Sequence, residues 1–125
     1  MPDITLWKPE PDLILHQALG KLAEEIGELN TIVARILIQG ADGRDPKTGK
    51  PNAEALQEEI TDVLSAATWL QQLGHGAVLT DRANRKLQGY LEWQAMLEAD
   101  RDGTAANEYG APCDEAPLQE PAVHG

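Results

Sequence analysis

Phenylalanine is absent from this chain, and aromatic residues make up only 4% of it, so any core has to be aliphatic. Cysteine is almost absent too. Cys113 stands alone, which excludes an intramolecular disulfide and fits a reducing compartment. Positive charge is scarce: 10 Lys and Arg stand against 21 Asp and Glu, for a formal net charge of -11. Such a surface repels nucleic-acid backbones and anionic membranes, so neither a nucleic acid polymer nor a membrane is expected as a partner. An anionic substrate could approach only with metal ions or a local patch of cations. No apolar run reaches membrane-spanning length and no basic, apolar secretion signal opens the chain, which points to the cytoplasm. Proline is missing from Asn52 to Ala111, and its absence favours helix there. There is no P-loop, no CxxC pair, and none of His16, His75 and His124 forms a Glu-x-x-His pair with an acid. The last absence argues against a di-iron carboxylate bundle, which needs those imidazoles.

What is present is helical periodicity. Leu15, Leu22, Ile26, Leu29, Val33, Ile36 and Leu37 step by threes and fours, predicting a helix from about Asp12 to Gln39 with Gly40 as its stop. Residues 40–51, GADGRDPKTGKP, read as a loop. A second helix is expected from Asn52, taken as its N-cap, to about Leu73, and a third from about Ala77 to Asp100. The expected fold is all-α: an antiparallel bundle of about three main helices, completed by oligomerisation because a core of this size covers little surface. Residues 1–100 would form the helical domain. Residues 101–125, with five acids, one Arg and three prolines, read as an acidic, disordered C-terminal tail.

The acids fall where apolar residues belong. Leu22-Ala-Glu24-Glu25-Ile26-Gly-Glu28-Leu29 matches Leu56-Gln-Glu58-Glu59-Ile60-Thr-Asp62-Val63, on two different helices. At about 100° per residue with Leu22 as zero, the apolar arc of the first helix runs from roughly −80° to roughly +60°. Glu25 falls near −60°, inside the arc, and Glu28 near −120°, at its edge, while Glu24 points outside (all about, on ideal geometry). The second helix repeats the pattern: Glu59 inside, Asp62 at the edge, Glu58 outside. Four carboxylates converging on a partly dry site repel one another and cannot all stay ionised unaided. A hard divalent cation resolves the conflict, and oxygen ligands suit Mg²⁺ or Mn²⁺.

The pair EEIGE (24–28) and EEITD (58–62) resembles the EExxE…ExxD signature of MazG-like all-α nucleoside triphosphate pyrophosphohydrolases. The likeness covers roughly residues 12–97, and its specific part is those two segments. It implies a helical oligomer, dimer or tetramer, with Mg²⁺ held by Glu25, Glu28, Glu59 and Asp62, which would be both metal ligands and catalytic residues. It also implies hydrolysis of a (d)NTP to the (d)NMP and pyrophosphate. The departure is the 40–51 loop, which is long for the family. A same-fold enzyme acting on a phosphoribosyl nucleotide would read alike, and a non-enzymatic helical oligomer or adaptor is the alternative from another class.

Cations and rings are few enough to place one by one. Arg44, Lys47 and Lys50 lie in the 40–51 loop, where they serve solubility or meet phosphates. On the third helix Leu79, Ala83, Tyr90, Trp93 and Leu97 form a stripe with Lys86 in its gap and Arg82 beside it. A lysine there either meets the carboxylates, meets substrate phosphates, or merely packs its stem. The family's basic or amide group on the later helix would correspond to Lys86, Arg82 or Asn84. Trp69, two turns beyond Asp62 on nearly the same face, either stacks on a nucleobase or fills a core or subunit interface, and Trp7 is open to the same two readings.

Overall fold

The computed structural model describes residues 5–107. The fold is all-α, with three helices and no strand among the described residues: α1 (Leu13–Gln39), α2 (Asn52–Gln72) and α3 (Thr80–Asn107). The chain divides into two compact units after Ala77, so α1 and α2 form one and α3 belongs to the other.

α1 starts where its capping chemistry says it should. The Asp12 carboxylate accepts from the Leu15 amide at 3.0 Å, satisfying a donor that the first turn leaves open. At the other end Gly40 adopts φ 91°, a conformation costly for any residue with a Cβ, and its amide bonds Ile36 O at 2.7 Å. α2 does not begin as the sequence suggested. Asn52 is not its N-cap: Pro51 holds that position with no side-chain cap bond, and Asn52 is already helical. Instead Asn52 is fully buried and works backwards on α1, where its Nδ2 donates to Gln39 Oε1 at 2.9 Å and to Gly40 O at 3.2 Å. Its backbone amide bonds Gly43 O at 2.9 Å. One side chain thus ties the end of α1, the loop and the start of α2 together.

That latch makes α1 and α2 antiparallel neighbours, with Gln39 beside Asn52 and, further along, Glu25 beside Glu59. The buried apolar set between them is small and alanine-rich: Ala18, Ile32, Ala55, Ala66 and Leu70. Small side chains at the contact let the two backbones approach closely, which brings short carboxylates within reach of one another. Much apolar surface stays outside this core, Leu37 at 82% and Ile38 at 84% exposure among it.

α3 starts three residues later than the periodicity indicated and runs on past Asp100. Gly74 and Gly76, both at positive φ, follow the end of α2, and a stretch without regular structure precedes Thr80. Between Asp100 and Asn107 there is no proline, and the single Gly103 costs only about 1 kcal/mol, so the helix carries on. Of the stripe predicted for the third helix, Leu79, Tyr90, Trp93 and Leu97 are exposed, and Lys86 is half-buried. The reading of residues 101–125 as a tail falls, from residue 108 onward, outside the described residues. No helix is long and apolar enough to cross a membrane, among the described residues.

Candidate metal centre

Of the paired glutamates in each EExx segment, one turns in and the other is held out by a lysine. On α1, Glu24 is exposed and accepts from Lys21 Nζ at 2.7 Å. On α2, Glu58 is exposed and pairs with Lys50 Nζ at 2.6 Å. The neighbours of these two, Glu25 and Glu59, face the α1–α2 contact. Glu25 is 7% exposed and Glu59 is half-buried, whereas Glu28 and Asp62 lie on the exposed rim. This is the order the helical wheel gives, with the first-named pair inside the apolar arc and the second at its edge.

Two overlapping groups of acids result. One carboxylate oxygen each from Glu25, Glu59 and Asp62 lie within 4.8 Å of one another, and the same holds for Glu24, Glu25 and Glu28. Glu25 belongs to both. The structure therefore brings Glu25, Glu59 and Asp62 together from two helices, and sets Glu28 beside them close enough to repel Glu59. Burial pushes the Glu59 carboxyl above the usual range, with Glu28, Asp62, Glu25 and Glu58 adding like-charge repulsion in that order. The Oε2 atoms of Glu25 and Glu59 are both buried and accept no hydrogen bond from the described residues. An ionised oxygen left so is costly, and a metal ion is the partner such oxygens can share. The donor set, all carboxylate oxygen, fits a metal ion on that chemistry.

An open groove of about 530 Å³ runs beside this centre, lined by Gln17, Lys21, Glu25, Asp62, Ser65, Ala66 and Trp69. Trp69 is partly exposed and also borders a second groove with Thr61, Leu64 and Thr68. Lys21, Gln17 and Ser65 were not singled out from the sequence. Lys21 carried a usable signal, since it precedes Glu24 by three residues and Glu25 by four, the spacings at which helix side chains meet. Gln17 and Ser65 carried none. Lys21 holds its proton more tightly than an ordinary lysine, because it donates first to Glu24 and then to Glu25.

The remaining candidates belong to other segments of the chain. Arg82, Asn84 and Lys86 all belong to α3, in the second unit; Arg82 and Asn84 are exposed. In the loop, Arg44 donates to Gly49 O at 3.0 Å and Lys50 to Glu58, so these two cations serve local structure. Arg35, from α1, reaches Asp45 at 3.5 Å. Trp7 is 91% exposed and contributes to no core. No protein-family model, no curated relative and no solved structure matches this chain.

Proposed function

We propose that this chain is a magnesium-dependent nucleoside triphosphate pyrophosphohydrolase, converting a (d)NTP and water to the (d)NMP and pyrophosphate. The observation that carries the reading is the convergence of Glu25, Glu59 and Asp62 from two helices, with two of their buried oxygens unpartnered. Glu28 joins them at the rim. An all-oxygen set of acids favours a hard cation, Mg²⁺ with Mn²⁺ as a substitute, over zinc or copper. When bound, the ion would polarise the phosphate and lower the pKa of water, the chemistry that phosphoanhydride hydrolysis needs. The likeness of EEIGE and EEITD to the MazG-like signature supports the same reaction class, because it falls on the acids that the fold gathers.

The protein's own groups divide the remaining work. Glu25, Glu28, Glu59 and Asp62 hold the ion. One of these glutamates accepts the proton of the attacking water. Trp69, which lines the same groove as Glu25 and Asp62, offers a flat face for a nucleobase, which would set the triphosphate toward the acids. The reaction breaks the anhydride between the α- and β-phosphates, and the oxygen of water ends on the α-phosphorus. The exposed aliphatic residues of α1 are covered, in this reading, by a second copy of the chain, giving a dimer or tetramer. The single cysteine is consistent with a reducing compartment such as the cytoplasm, which this reading adopts.

The test is release of pyrophosphate from a panel of deoxy- and ribonucleoside triphosphates with Mg²⁺, with EDTA, and with Glu59→Gln. Turnover that requires Mg²⁺ and disappears in Glu59→Gln is expected. Cleavage restricted to a phosphoribosyl nucleotide would move the chain to that activity. No turnover of any member would leave a non-enzymatic helical oligomer.

A further inference from the structure

Glu25, the most buried of the acids, is already shared with a cation of the protein itself. Lys21 Nζ lies 3.2 Å from Glu25 Oε1 and 2.7 Å from Glu24 Oε1, and the same side chain lines the groove with Asp62 and Trp69. The two contacts differ in kind. Glu24 is an outer glutamate with a side chain 57% exposed, while the Glu25 side chain is 9% exposed and presents its other oxygen unpartnered. Half of the Lys21 side chain is solvent-exposed, so its four-carbon stem can re-aim without unpacking a core.

A divalent ion on Glu25 would stand a few ångströms from that ammonium, and two cations on one carboxylate repel. Glu24 can keep the lysine near without Glu25. A phosphate oxygen in the groove relieves the repulsion best, because it accepts from an ammonium and neutralises the added charge at once. We propose that Lys21 is a placeholder cation: it neutralises Glu25 while the metal is away, yields that carboxylate when a divalent ion arrives, and then donates to a phosphate of the ligand in the groove, with Glu24 as its tether. This inference rests on the metal-centre reading above and assigns that centre its phosphate-binding residue.

A plain helix-surface ion pair is the competing role for Lys21, and its consequences differ in sign. Removing a surface pair leaves metal affinity unmoved or lowers it through a looser α1. Removing a placeholder raises metal affinity, since the ion no longer competes with an ammonium, and at the same time weakens phosphate binding. The experiment uses the full chain and two probes that need no knowledge of the base. Mn²⁺ is titrated and followed by electron paramagnetic resonance, and labelled pyrophosphate is measured by equilibrium dialysis at saturating Mg²⁺.

In Lys21→Met, Mn²⁺ should bind roughly three- to fivefold more tightly, and pyrophosphate roughly tenfold more weakly. Lys21→Gln should repeat both changes, and Lys21→Arg, which keeps the charge, should return both toward wild type. Unchanged or weaker Mn²⁺ binding in the Met and Gln variants, with a wild-type circular dichroism spectrum, overturns the inference, as does unchanged pyrophosphate binding. Failure of the wild-type chain to bind Mn²⁺ at all overturns the metal centre itself and the inference with it. Wild-type binding that is lost in Glu59→Gln but unmoved in Lys21→Met overturns the inference alone.

Discussion

Glu25 and Glu59 stand on different helices, and each buries an Oε2 that no donor among the described residues reaches. A fold that only needed to close α1 against α2 would fill these positions with aliphatic residues, as it does at Ala18, Ala66 and Leu70. Carboxylates here cost the metal-free protein stability, and that cost has measurable signs.

The first sign is in pH. Glu59 binds its proton more tightly in the folded chain than in the unfolded one, mainly through burial and then through Glu28 and Asp62. Its contribution therefore favours folding at low pH, below the ordinary carboxylate value of 4.5, and is lost as pH rises through the raised folded value. Asp45 acts in the opposite sense, since the Lys47 amide lowers its pKa and its contribution is lost on acidification. The difference between wild type and Glu59→Gln isolates the first effect. In EDTA, Glu59→Gln should gain relative stability as pH rises from 4.5, reaching roughly 2–5 °C in Tm near neutrality. Saturating Mg²⁺ should abolish or reverse that gain, because binding to the folded wild type stabilises it by mass action. Equal Tm curves for the two proteins in EDTA would remove the electrostatic cost.

The second sign is in turnover. Glu25→Gln, Glu28→Gln, Glu59→Gln and Asp62→Asn should each lower it by roughly a hundredfold or more, in line with losing charge stabilisation at a transition state. Glu24→Gln and Glu58→Gln should stay within about tenfold of wild type, because their carboxylates are held outward by lysines. A panel of nucleotides with pyrophosphate release as the readout decides this. Equal losses at all six positions would contradict the division into inner and outer glutamates.

The inward acids were legible because a helix is a one-dimensional code: an angle of about 100° per residue sorts Glu25 from Glu24 without any knowledge of the partner helix. The partner helix was legible as well, because EEITD repeats EEIGE. What periodicity could not supply was anything depending on a loop or on a second element. Asn52 looks like a cap in sequence, since Asn is a good one, but its side chain points back at Gln39 and Gly40 and the cap position falls to Pro51. Lys21 stands three and four residues before Glu24 and Glu25, a spacing that many exposed helix pairs share, so its signal was usable only beside the inward angle of Glu25. The stripe on α3 has the right spacing for a buried face, yet spacing says which residues share a face and not whether something covers it.

The third prediction concerns the latch. A Cβ on Gly43 would stand 2.6 Å from Gln39 Oε1 and 2.9 Å from Asn52 Nδ2, on the two partners of the hydrogen bond that joins α1 to α2. Backbone hydrogen bonds at Gly43 N and O pin the residue from both sides, so it cannot withdraw. Gly43→Ala should therefore cost roughly 1–3 kcal/mol, as should Asn52→Ala, which leaves Gly40 O without its side-chain donor. The double variant should cost less than the sum, since both changes break one bond. Urea unfolding measures all three, and strict additivity would show that the two residues act independently.

The fourth concerns assembly. Leu13, Ile14, Leu37 and Ile38 of α1 are exposed by 58% or more, and exposed aliphatic groups in this number on one helix call for a cover. A homodimer or larger assembly is expected at micromolar concentration, and Leu37→Glu with Ile38→Glu should shift it toward monomer. Light scattering showing a wild-type monomer would count decisively against it.

The last concerns Trp69, for which two roles were open and the structure leaves a way to separate them. Its ring lines the groove that also holds Glu25, Lys21 and Asp62, and it remains partly exposed, as a stacking platform must. A base stacked on tryptophan is worth about 1–3 kcal/mol. Trp69→Ala should therefore weaken binding of the α,β-methylene analogue of the best substrate by roughly 5- to 150-fold. Pyrophosphate has no base, so its affinity in the same variant should be unchanged, and so should that of Mn²⁺. Trp69→Phe keeps a ring of smaller face and should fall between. If the ring instead sits in a subunit interface, Trp69→Ala should change the oligomeric state and weaken nucleotide and pyrophosphate together. Measuring both ligands and the mass of the assembly on one preparation distinguishes the cases: a loss confined to the base-bearing ligand places the base on Trp69, and parallel losses with dissociation remove it from the groove's binding surface.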